Sequence, residues 1–110
     1  MRVIMKLVRD KIPQIIENAN QSQFYHIEIC KSKEEYMKYL ALKIKEEASE
    51  LAAKPTSLEE MADVLEVLRY LAGQSNYSIE DVIKCGLEKN KKNGSFKKGY
   101  ILKLLDEERL

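Results

Sequence analysis

Apolar residues between Tyr36 and Leu51 return at helical spacing, and a second set between Met61 and Ala72 does the same. Ser32-Lys-Glu-Glu35 ahead of the first set reads as a capping box, and Pro55 stops that helix after about Lys54. Thr56 or Ser57 then caps the second helix, which fades at Gly73. So tight a connection predicts two antiparallel neighbours. Ser78 opens a third main helix running to about Lys92, with Val82, Ile83, Cys85 or Gly86, and Leu87 as its inner face. Near the start, Pro13 suits a first-turn position and predicts a short helix over 13–19, with Ile12, Ile15 and Ile16 packed inward.

Asn18 to Gln23 is polar and reads as a loop. Phe24 to Cys30 is a run of strand formers with partial alternation, and Gly99 to Leu105 is a second such run, followed by a charged end. The pattern therefore predicts a mainly α fold: an antiparallel helical bundle with a short two-stranded β element from the N-terminal and C-terminal segments. Residues 1–110 are expected to form one domain, without internal repeats.

Two acidic pairs at helical spacing, Glu47-x-x-Glu50 and Glu60-x-x-Asp63, sit on the consecutive central helices. Residues three apart lie close on one helix face, so each pair makes a carboxylate clamp, and two clamps on neighbouring helices make a four-carboxylate cradle. On an ideal wheel with Glu47 at zero, Met37, Leu40, Ile44, Ala48 and Leu51 fall at about 20 to 100°, and Glu50 at about 300°. With Glu60 at zero, Val67 and Leu71 flank it at about ±20°, and Asp63 sits near 300°. Glu60 is therefore placed within the apolar arc. An ionised carboxylate there needs a partner or a metal, and hard divalent cations such as Mg²⁺ take oxygen ligands of this kind. Glu66 lies further out and ranks below the other four.

Spacing alone also admits plainer readings. Charged residues make up 34% of the chain, which yields such pairs by chance. Lys43 with Glu47 and Glu50 with Lys54 read as ordinary i,i+4 surface pairs, and Ser57-Leu-Glu-Glu60 as a capping box with Glu60 at N3.

Composition narrows the classes further. Hydrophobic residues are 45% of the chain without a long apolar run, and the start is too short and interrupted for a signal peptide; a cytoplasmic protein with no membrane partner is expected. Cys30 and Cys85 stand far apart without zinc spacing, so two buried or inert thiols are expected. A net charge of +1 argues against a nucleic-acid partner, although lysines gather between Lys84 and Lys98. His26, without a nucleophile or metal partner in the pattern, reads as an ordinary strand residue. At 110 residues, burial between copies is a common source of stability, and broad apolar arcs on two long helices predict a homodimer or dimer of dimers.

The combination of Lys6-Leu-Val-Arg-Asp-Lys-Ile-Pro13, Glu46-Glu-x-x-Glu50, Glu60-x-x-Asp63 followed by Val64-Leu-Glu-Val67, and Lys92-Asn-Gly-Ser-Phe96 resembles the MazG-like and phosphoribosyl-ATP pyrophosphohydrolase-like superfamily of all-α nucleoside triphosphate pyrophosphohydrolases. The resemblance spans nearly the whole chain. It implies Mg²⁺ (or Mn²⁺) held by Glu47, Glu50, Glu60 and Asp63, and hydrolysis of a nucleoside triphosphate between its α- and β-phosphates to a monophosphate and pyrophosphate. Asn93 stands where similar sequences usually carry an arginine, so that phosphate contact is missing or falls to Lys91, Lys92 or Lys97. Glu46, at about 260° on the wheel, is the candidate base or outer ligand support. Arg9, Lys11, Lys89, Lys92 and Lys97 are the candidate phosphate-binding residues, Arg by a planar fork and Lys as point charges. The competing class is a non-enzymatic helical nucleotide- or RNA-binding interaction module. A di-iron bundle is disfavoured by the missing Glu-x-x-His element.

Overall fold

Each long helix starts where a serine hydroxyl can satisfy a backbone N–H that has no partner within the helix. The computed structural model describes residues 2–105, with α1 at Ile12–Asn18, α2 at Lys33–Ala53, α3 at Leu58–Gln74 and α4 at Ile79–Asn93. Ser32 Oγ accepts from the Glu35 N–H at 3.0 Å, and Glu35 Oε1 reaches back to the Lys31 N–H at 3.3 Å. Ser57 Oγ likewise accepts from the Glu60 N–H at 3.2 Å. The return half of this second box does not form, because the Ser57 N–H donates to the Lys54 carbonyl at 3.0 Å. Ser57 thus caps the Glu60 backbone N–H, and the Glu60 carboxylate takes no part in the cap.

Asparagine ends two of the helices. After α1, Asn20 turns left-handed (φ 57°), and the Gln21 N–H closes on the Ile16 carbonyl at 3.0 Å. After α3, Asn76 does the same (φ 62°), with the Tyr77 N–H on the Ala72 carbonyl at 2.9 Å. Both are six-to-one closures that satisfy the last carbonyls, with asparagine in the position glycine usually takes. The helix expected to fade at Gly73 therefore runs to Gln74 and stops at Asn76.

The chain divides into two units, Met1–Ile79 and Glu80–Leu110. Within the first, α2 packs on α3. Glu47 lies beside Glu60 and Asp63, while Tyr36 and Tyr70 line the same cleft, so numbers fall along one helix as they rise along the other. That is the antiparallel pair predicted. Leu40 and Ala72 are buried, and so is Glu47. Ile12 and Ile16 of α1 are half-buried, whereas Ile15, expected inward, is exposed.

The second unit begins with α4, which carries Glu80 and Asp81 in its first turn and Lys91 and Lys92 in its last. Both ends thus complement the helix dipole. Val82 is half-buried, but Ile83, Leu87 and Cys85 are exposed, so the expected inner face of α4 is largely open.

The β element predicted from 24–30 and 99–105 is absent: among the described residues there is no strand. Phe24 closes a one-turn 3₁₀ helix, Ser22–Phe24, and the chain beyond it is irregular. Strand-forming residues specify a strand only when a second backbone completes the ladder, and neither run meets one. The charged end beyond residue 105 lies outside the described residues. No helix among those described is long and apolar enough to cross a membrane.

Candidate functional site

The inward stripe of α2 runs through Leu40, Ile44 and Glu47, and the facing stripe of α3 begins at Glu60 and Asp63. One carboxylate oxygen from each of Glu47, Glu60 and Asp63 falls within 4.8 Å of the others. Glu47 is only 7% exposed, and its Oε2 is buried with no hydrogen-bond partner; Glu60 Oε2 is buried and unpartnered as well. Orphaned carboxylate oxygens of this kind are costly unless something cationic completes them.

Cations of the chain approach from one side. Lys43 Nζ stands 3.3 Å from Glu47 Oε1 and 3.2 Å from Glu46 Oε2, and Lys6 Nζ stands 3.5 Å from Glu46 Oε1. Arg9, from the segment before α1, donates its Nη2 to Asp63 Oδ1 at 2.7 Å. Burial pushes the Glu47 carboxyl above its ordinary range; Lys43 opposes this, and the Glu50 charge adds to it. Glu46 moves the other way: burial would raise it, but the hydrogen bond and charge of Lys43, reinforced by Lys6, hold it below its ordinary value.

A cleft of about 410 Å³ opens over Glu47 and Asp63. Leu7, Val8, Arg9, Asp10 and Lys11 form a wall, Leu40 and Val67 an apolar middle, and Tyr36 and Tyr70 line it farther along the helices. Burial raises the Tyr36 hydroxyl's pKa, with Tyr70, Asp10 and Cys30 contributing.

Three of the four predicted ligands are thus brought together. Glu50 is exposed and outside the three-carboxylate group, although near enough to bear on Glu47. Arg9 and Lys11 both border the cleft, whereas Lys89, Lys92 and Lys97 belong to the second unit, where all three are exposed. His26 is exposed, 3.3 Å from Glu28. Sequence reasoning paired Lys43 with Glu47 as an ordinary i,i+4 surface contact; the pair is present, but it is largely buried, the Lys43 side chain being 15% exposed. Tyr36 and Tyr70 were missed, each being a routine amphipathic position when its helix is taken alone.

Compared with protein-family models, curated proteins and solved structures, the chain has no match in any of the three.

Proposed function

We propose that the chain is a Mg²⁺-dependent nucleoside triphosphate pyrophosphohydrolase of the MazG-like type, which splits the bond between the α- and β-phosphates. The observation that carries this reading is Glu47, a carboxylate over nine-tenths buried, with one oxygen left unpartnered and one oxygen within 4.8 Å of a carboxylate oxygen from each of Glu60 and Asp63. Such an oxygen-only set suits a hard divalent ion and offers nothing to a soft one. Glu47, Glu60 and Asp63 would hold Mg²⁺, with Glu50 joining from the rim; Mn²⁺ suits the same donors. When bound, the cation neutralises phosphate oxygens and activates water for attack at phosphorus.

The remaining work belongs to the chain's own residues. Arg9, now on Asp63, has a guanidinium fork suited to phosphate oxygens, and Lys11 stands next to it in the cleft wall. Lys43 contacts both Glu46 and Glu47, and its charge opposes the effect of burial on each. In a titration with a panel of nucleoside triphosphates and Mg²⁺, phosphorus NMR is expected to show nucleoside monophosphate and pyrophosphate as primary products. Orthophosphate as the sole primary product would refute the assigned bond, and no turnover in Mg²⁺ or Mn²⁺ would move the protein to the interaction-module class.

The same reading includes a bundle completed by a second copy. Leu58, Met61 and Leu65 form a stripe at helical spacing along α3, and all three are exposed, away from the face that meets α2. Apolar stripes of this spacing are ordinarily covered by another helix. Sedimentation velocity at micromolar concentration is expected to show a dimer or a dimer of dimers, and a purely monomeric boundary would overturn it.

A further inference from the structure

The pyrophosphohydrolase reading accounts for the carboxylate end of the cleft and leaves its other end without a task. Moving away from Glu47 along α2 leads through Lys43 and Leu40 to Tyr36; moving away from Asp63 along α3 leads through Val67 to Tyr70. At 1.5 Å per residue, the tyrosines stand about 10 to 16 Å along the helices from the carboxylates. That is the order of separation between the base and the phosphate chain of an extended nucleotide. The surface changes over this length. It is charged around Glu47, Asp63, Arg9 and Lys11, apolar at Leu40 and Val67, and aromatic with polar hydroxyls at Tyr36 and Tyr70. Leu40 lines the cleft but is only 2% exposed, whereas Val67 is half-buried.

We propose that Tyr36 and Tyr70 form a nucleobase subsite, holding the base of the substrate at the aromatic end of the cleft while its phosphates lie over Glu47, Glu60 and Asp63. Aromatic side chains bind any base through its π-face, and half-buried Val67 offers apolar contact to the sugar. The polar rim matters as well. Asp10 lies close enough to Tyr36 to affect its hydroxyl, so the edge of a bound base meets hydrogen-bonding groups and not bare hydrocarbon. Phosphate affinity comes from one end of the cleft, and preference for a nucleotide over a bare polyphosphate from the other.

This subsite rests on the proposed function, and the two are separable by calorimetry on the full chain in Mg²⁺. The probes are inorganic tripolyphosphate, which engages only the carboxylate end, and α,β-methylene nucleoside triphosphates, which resist cleavage at the assigned bond. The parent is expected to bind at least one of the nucleotides about tenfold or more tightly than tripolyphosphate. Tyr36→Ala and Tyr70→Ala should each remove most of that preference and leave tripolyphosphate binding unchanged. Tyr36→Phe, which keeps the ring, should retain it, so a loss in the alanine variants is not a loss of fold. Nucleotide binding that depends on the tyrosines, with no tripolyphosphate binding, would uphold the subsite and sink the metal-phosphate reading. An affinity ratio near one in the parent, or one that the alanine variants leave intact, would overturn the subsite, and a parent that binds neither probe would overturn both.

Discussion

Glu47→Gln is expected to lower Mg²⁺-dependent turnover by about a thousandfold or more, since it removes the charge of the most buried ligand while keeping its shape. The same variant should change how the metal-free protein responds to pH. Burial holds the Glu47 carboxyl above its ordinary range in the folded chain, with the Glu50 charge adding to burial and Lys43 opposing it. A raised folded value means that the folded state binds this proton more tightly than the unfolded state. The stabilising contribution is complete below the unfolded value, about 4.3, and is lost as pH rises through the folded one. Glutamine does not titrate, so the variant should gain melting temperature relative to the parent between pH 4 and pH 7. Melts in chelator across that range, run beside a pyrophosphate assay, read both effects. Turnover within tenfold of the parent would remove Glu47 from the site.

Glu60→Gln should also abolish turnover, by a similar factor, yet leave the metal-free protein at least as stable. Its Oε2 is buried without a partner, and the cap that Ser57 provides is made to the Glu60 backbone N–H, which the substitution keeps. Mg²⁺ bound only to the folded parent at a hundredfold excess over Kd should stabilise it by about 2.7 kcal/mol, and most of that rise should vanish in the variant. The opposite result, a lower melting temperature without metal together with full activity, would mean that the Glu60 carboxylate serves the helix start and not a cation.

Local chemistry was the part most easily read from the sequence. Ser32 and Ser57 announce their helices because a cap needs only the next three residues, and the α2 and α3 stripes follow from spacing alone. Glu47, Glu60 and Asp63 were legible for the same reason: position on a wheel already places them at an apolar face. Glu50 tests the limit of that method. Three residues from Glu47 puts it on the same side of the helix, but whether its carboxylate reaches the cluster depends on the neighbouring helix, and it ends exposed. Pairing at long range was illegible. Arg9 meets Asp63 across 54 residues, and nothing in either segment encodes that meeting. The two predicted strands failed on the same ground, because Phe24 to Cys30 carries strand-forming side chains but not the backbone that would have to lie beside it.

Lys6, Glu46, Lys43 and Glu47 form a row of alternating charge, with successive gaps of 3.5, 3.2 and 3.3 Å. Its environment is graded: the Lys6 side chain is 55% exposed, Glu46 31%, Lys43 15% and Glu47 10%. Dissolved ions penetrate only the outer portion of such a gradient, because mobile counter-ions screen charges that water can reach and act weakly on charges packed away from it. Rising ionic strength therefore slackens Lys6 on Glu46 first and leaves Lys43 on Glu47 nearly at full strength. The row behaves as a filter between bulk electrolyte and the buried carboxylate, so the charge balance at Glu47 is set by the fold far more than by the surrounding salt.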